Sequence, residues 1–172
     1  SNQMSMVKKI LSSWCLIGMM QGAWSDDKDF LAAKAAYDAK NIDVLTKFYQ
    51  QKTANDEWAE YLDYYWLSSH IKEIDSIAVI HFLQTYPTTW LTEQLRREWL
   101  LELAQRKDWP NYVQFYSGLV WPKIEHQCYA YTARINTGDK SALSAARQDF
   151  WLETKELPPA CQELLVLLEQ SN

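Results

Sequence analysis

The sequence predicts an all-α protein, with short antiparallel helix pairs stacked one after another as an α-superhelix or solenoid. Three observations carry this. Only four Gly and five Pro among 172 residues leave little room for a hairpin-rich β fold. Helix start and stop signals recur at short intervals, which favours antiparallel neighbours. Several apolar stripes cover a broad arc, as a solenoid helix needs when it touches both its pair-mate and the next pair. Hydrophobic residues at 48% rule out disorder, and 14% aromatics, with nine Trp and ten Tyr, predict an aromatic core or binding surface.

The elements follow in order. Asp29–Lys40 is alanine-rich, and Val44–Lys52 follows a short break. Asn55 is placed to cap the next helix, with Asp56 and Glu57 in its positive first turn. Along that helix Trp58, Leu62, Tyr65 and Trp66 share one face. Ser76 opens SIAVIHFLQTY, and Pro87 ends it. Thr88 or Thr89 caps WLTEQLRREWLLELAQR, whose Leu91, Leu95, Trp99 and Leu103 line one flank, with Leu100 and Leu101 lying off it. Asp108 followed by Pro110 starts the short helix PNYVQFY. A further helix runs through EHQCYAYTARIN and stops at Gly138, the residue type that accepts a left-handed conformation just past a helix end. SALSAARQDFWLE is next, and Pro158 and Pro159 introduce ACQELLVLLEQ. That makes about nine helices and no confident strand, without a repeat period of the tetratricopeptide type.

Residues 1–25 read as a secretory signal peptide. Lys8 and Lys9 form a basic start, Ile10–Met20 an apolar run too short to span a bilayer, and Ala23–Ser25 a small-residue cleavage site. The alternative is a buried N-terminal helix. Ser1–Gln3 lie ahead of the first Met and read as additions upstream of the natural start. Residues 26–172 form the expected α-superhelical domain. Loss of the leader takes the net charge from −5 to −7, which argues against nucleic acid or an anionic membrane surface as partner. It also removes Cys15 and leaves Cys128 and Cys161 in an oxidising compartment, either bridged or as two unrelated buried thiols.

The chain offers little catalytic chemistry. Beyond the leader only Gly118 and Gly138 remain, neither in a phosphate-cradling run, so no nucleotide cofactor is expected. His70, His81 and His126 lack metal-ligand spacing, and no metal is expected. Glu57, Glu60 and Asp63 share one helix and Glu98 and Glu102 another. Such pairs could serve a small glycosidase, but solvated helix faces explain them. No catalytic residue is assigned. The aromatics near helix ends, Trp90, Trp109, Tyr112 and Trp121, are the candidate glycan contacts, because sugars offer apolar C–H faces to aromatic rings. Trp58, Trp66, Trp99 and Trp151 sit at core spacing.

Three stretches carry a family resemblance. LRREWLLELAQRKDWPNYVQFY (Leu95–Tyr116) resembles the R-x-x-W/F-L/V-x-x-L-A-x-R-x-D-W segment of soluble lytic murein transglycosylases. Arg96 or Arg97, Trp99, Leu103, Ala104, Arg106, Asp108 and Trp109 stand in those places. QCYAYTARINTGD (Gln127–Asp139) and FWLETKELPPAC (Phe150–Cys161) resemble later segments of the same proteins, and order and spacing agree from about Asp29 onward. The resemblance implies a periplasmic α-superhelical (U-shaped) scaffold around peptidoglycan, and it pairs Cys128 with Cys161. The family cleaves the MurNAc–GlcNAc bond without hydrolysis, forming a 1,6-anhydro sugar. Its catalytic glutamate belongs to a separate lysozyme-like domain, in an E-S context ahead of a G-L-M-Q motif. No E-S dipeptide occurs here, and IGMMQG (Ile17–Gly22) lies in the leader, so no catalytic residue is carried over.

The expected function is therefore the non-catalytic N-terminal scaffold of a periplasmic lytic murein transglycosylase, supporting glycan strands and the family's C-terminal catalytic domain. The alternative is a free-standing helical-repeat adaptor that binds a cell-envelope protein. Leu164, Leu165, Leu167 and Leu168 of the last helix are expected to lie uncovered and to drive self-association.

Overall fold

A computed structural model describes residues 27–52, 57–150 and 156–171. The leader, Asn55 and Trp151 lie outside them. Among the described residues there are nine α-helices, one short 3-10 turn and no strand, which bears out the all-α class. The chain divides into two compact units, one ending at Ser69 and one beginning at His70.

The first unit holds α1 (27–38), α2 (Ile42–Gln51) and α3 (Ala59–Ser69). Ala33 and Ala36 of α1 are buried with Leu45, Ala59 and Leu62, since small side chains let helices approach. Rings fill the remaining space. Phe30 stacks on Trp58 at 4.0 Å, Tyr37 on Tyr65 at 4.4 Å and Tyr49 on Trp66 at 4.7 Å. Such pairs contribute roughly 0.5–1.5 kcal/mol each beyond their buried area. All four residues of the expected α3 face are therefore packed, while Asp63 is paired with Lys52 at 2.8 Å. Helix α2 begins two residues earlier than expected, because the Asn41 side chain caps it by accepting from the Val44 N–H.

The second unit runs through α4 (Ser76–Thr85), α5 (Trp90–Gln105), α6 (Trp109–Tyr116), α7 (Ile124–Asn136), α8 (Ser141–Phe150), a 3-10 turn (Pro159–Cys161) and α9 (Gln162–Gln170). Asp75 caps α4. Thr89 caps α5 through a reciprocal box with Thr92, and Asp108 caps α6, with Pro110 in its first turn. Three helices end alike. Lys40, Lys107 and Gly138 take positive φ just past the ends of α1, α5 and α7. In each case this residue and the next donate back to the last turn, as the Gly138 N–H does to the Ile135 carbonyl and the Asp139 N–H to that of Arg134.

Consecutive helices of this unit pack against one another in chain order, as stacked pairs require. The core is Leu95, Trp99, Leu100 and Leu103 of α5 with Tyr112 and Phe115 of α6 and Ala130 and Ala133 of α7. Cys128 and Cys161 are bridged, with Cα atoms 5.0 Å apart. Around the bridge lie Ala146 and Leu164, with Tyr131, Ile135, Phe150, Leu157 and Leu168 against them. Helix α9 is thus less bare than expected: Leu164 is buried, Leu165, Leu167 and Leu168 are half-buried, and Val166 is the exposed residue.

Two arginines of the family-like segment Leu95–Tyr116 tie neighbouring segments together. Arg106 bonds Glu102 at 3.0 Å, stacks over Trp99 at 4.9 Å, and donates to the carbonyls of Ile71, Lys72 and Ile74. It so fastens the segment before α4 to the end of α5. Arg96 donates to the Phe115 carbonyl at 3.0 Å, and burial lowers its pKa from the usual guanidinium value.

Candidate functional site

Two of the four expected contact aromatics stand in solvent and two do not. Trp90 is 63% exposed and Trp121 67%, whereas Trp109 and Tyr112 are buried. The last two are corrections to the expected contact set. Trp109, at the first position of α6, packs edge-on to Tyr112 and lies near Tyr129 of α7. The Tyr112 hydroxyl donates to the His126 carbonyl at 2.8 Å, deep between α6 and α7, and burial pushes its pKa far up. Both belong to the packing of helix against helix.

Trp90 and Trp121 are joined by side chains of α5. Trp90 opens that helix just after the Thr89 cap, so its backbone is held in place. Arg97, two turns on, lays its guanidinium over the Trp90 ring at 5.6 Å and donates to the Trp121 carbonyl at 2.9 Å. With the Trp90 ring in solvent but the Arg97 side chain mostly buried, the cation–ring contact is worth about 0.5–2 kcal/mol. Glu93 lies between them, 5% exposed. Its carboxylate accepts the Val120 N–H at 3.0 Å and the Trp121 N–H at 3.1 Å, and sits 3.9 Å from Arg97. A buried carboxylate with two backbone donors and a cation nearby is well compensated.

The result is an aromatic platform. Two indoles and the exposed Val120 project from a turn and a helix end that a buried polar network holds together. Flat apolar faces beside fixed polar groups suit a ligand with apolar C–H faces and hydroxyl edges. Glu93 and Arg97 were not among the expected contacts. Their sequence positions resemble the many other charges of the chain, and only the approach of the turn at Val120 and Trp121 gives them a task. Of the other carboxylates, Glu102 pairs with Arg106 and Asp63 with Lys52. Among the described residues no group of three or more His, Cys, Asp or Glu is placed to hold a metal, and no helix is long and apolar enough to cross a membrane.

An all-α chain of stacked helices bearing an aromatic surface defines the class, and comparison with known proteins narrows it. No family model matches. The chain is 28% identical over 168 residues to a soluble lytic murein transglycosylase of Salmonella typhimurium, covering 95% of this chain and 26% of the relative. It is 26% identical over 163 residues to the Escherichia coli K12 protein of the same description, covering 92% and 25%. Among solved structures, the 70 kDa soluble lytic transglycosylase of Escherichia coli superposes with a TM-score of 0.69 at 26% identity, over 86% of this chain and 24% of that one. The complex of that enzyme with bulgecin A matches equally, at TM-score 0.69 and 25% identity. The resemblance read from the sequence is borne out, as a match to the N-terminal region of these proteins. The chain spans about a quarter of the length of the relatives it matches.

Proposed function

We propose that this chain is an exported, non-catalytic helical scaffold of a periplasmic lytic murein transglycosylase, contacting glycan strands through Trp90 and Trp121. The observation that carries the reading is the platform itself: two exposed indoles braced by buried Glu93 and by Arg97, in a chain similar to murein-cleaving enzymes. Exposing two Trp costs solubility unless something covers them, and sugar rings do so without demanding a deep cavity. The scaffold reading rests on the use of the motif residues, which hold helices together and leave none for acid/base chemistry. Residues 1–25, outside the described residues, would serve as the export signal, and a C-terminal catalytic domain would be the scaffold's partner in the whole enzyme.

Co-sedimentation with purified peptidoglycan sacculi tests this. The chain should be retained, Trp90→Ala with Trp121→Ala should abolish most retention, and no 1,6-anhydro-muropeptides should appear above a heat-inactivated control. Retention unchanged in the double variant would remove the platform from the function. Anhydro products would overturn the scaffold role. Absence of retention, with capture of a cell-envelope protein through the same indoles, would favour the adaptor.

A further inference from the structure

A second feature of the α6–α8 region is independent of the platform: a cleft of about 250 Å³, mixed polar and apolar, lined by Tyr116, Gln127, Ala130, Tyr131, Arg134 and Asp149. Four of these lie on α7 at positions i, i+3, i+4 and i+7, so they form one stripe along the helix. Ala130 is buried and small, and leaves the hollow between the two flanking tyrosines. Its walls are held. The Tyr131 hydroxyl donates to Asp149 Oδ2, and the Tyr131 ring is flanked by Arg134 at 5.5 Å and Phe150 at 6.1 Å. Arg134 is fixed by Asp139 at 2.8 Å and by Ser141. Those bonds use Nε and Nη2 of Arg134 and Oδ2 of Asp149. Arg134 Nη1, Asp149 Oδ1, the Gln127 amide and the Tyr116 hydroxyl have no hydrogen-bond partner among the described residues.

We infer that this cleft is a binding subsite for a single uncharged N-acetylhexosamine ring of a glycan strand. Its volume is below the usual range for extended ligands, which suits one ring better than a chain of them. Arg134 is already neutralised by Asp139, so an anionic ligand gains little there and meets the Asp149 carboxylate. A neutral polyol is favoured because the free positions comprise donors (Arg134 Nη1, the Gln127 NH2) and acceptors (Asp149 Oδ1, the Gln127 carbonyl). Sugar hydroxyls satisfy both kinds. The tyrosine rings offer the flanks for the C–H face. The ligand class rests on the proposed glycan role, whereas the location rests on the cleft alone.

The test is a titration of the ¹⁵N-labelled full chain with the soluble β-1,4-linked N-acetylglucosamine tetramer, followed in ¹H–¹⁵N spectra. The Gln127 side-chain amide and the Ala130 and Arg134 signals should shift together. Gln127→Ala and Asp149→Asn should each weaken that binding about five- to tenfold, without lowering the melting temperature, since both side chains are exposed. Saturating tetramer that leaves these signals in place overturns the inference. So does binding that neither variant weakens, or shifts produced by a free stem peptide and not by the tetramer. The Trp90 and Trp121 indole signals in the same spectra report the platform separately. If they move while the cleft stays silent, the subsite fails and the proposed function stands. If the cleft responds and the indoles do not, the subsite holds and the platform falls.

Discussion

Glu93 of α5 accepts the backbone N–H of Trp121 at 3.1 Å, so a buried carboxylate holds an exposed tryptophan in place. The same carboxylate takes the Val120 N–H, and Arg97 closes the arrangement from the other side by donating to the Trp121 carbonyl. A flexible loop would lose conformational entropy on binding a ligand, whereas this turn has already lost it on folding.

Glu93→Ala should therefore cost about 2–4 kcal/mol, because two backbone N–H groups lose a charged acceptor and Arg97 loses its counter-charge. Hydrogen exchange at the Val120 and Trp121 amides should accelerate well beyond that of the α5 core. Glu93→Gln keeps an acceptor oxygen and should cost roughly half as much. Chemical denaturation measures the first effect and exchange mass spectrometry the second.

Two helix ends of the same geometry should respond in opposite directions. A Cβ at Gly138 would meet nothing within 4 Å, so Gly138→Ala tests backbone strain alone at φ +90 and should destabilise by about 1 kcal/mol. Lys107 occupies the equivalent position after α5 at φ 55, and Lys107→Gly should stabilise by roughly 0.5–1 kcal/mol. Denaturation midpoints of the two variants give the comparison.

Gly118 is limited by space. A Cβ there would sit 2.5 Å from Cζ of Arg96, whose guanidinium is committed to the Phe115 carbonyl. Gly118→Ala should displace Arg96 and cost about 1–3 kcal/mol. A double variant with Arg96→Ala should show strong non-additivity in a mutant cycle.

Reduction of the Cys128–Cys161 bridge should lower stability by about 3–4 kcal/mol on the chain-entropy account, with the loss concentrated where α9 meets α7 and α8. Non-reducing peptide mapping of exported protein should recover the two cysteines in one linked fragment. Recovery of both as free thiols would contradict the pairing.

Acid should weaken the second unit through His126. Its imidazole is buried, neither ring nitrogen makes a hydrogen bond, and burial pulls its pKa below the ordinary value. Glu125 and the Arg97 backbone oppose that shift, while the charges of Arg97 and Lys123 add to it. A proton then binds the unfolded chain more tightly than the folded one, so this contribution is complete above about pH 6.5 and is lost as pH falls below it. Between about pH 7 and pH 5 the melting temperature of the wild type should fall more steeply than that of His126→Leu.

Much of the helical pattern was legible because its signals are local. Thr89 and Asp108 cap helices within three residues of themselves, and Gly138 ends one by its own backbone freedom. The left-handed lysines at 40 and 107 carried no such signal, since lysine does not favour that conformation and only the closing hydrogen bonds impose it.

Sequence by itself determined that this chain is a row of short helices, that it resembles lytic murein transglycosylases, and that its aromatics are the residues to watch. Only the tertiary structure decided which of them face solvent. Trp90 and Trp109 each open a helix after a capping residue, and nothing within a few positions separates them. Trp109 is buried because α7 brings Tyr129 alongside it, and Trp90 is exposed with Arg97 over its ring. Capping is settled by neighbours three residues apart, but burial is settled by partners many residues away. For the same reason Glu93 became visible as a structural anchor only when the turn at Val120 and Trp121 was folded against it.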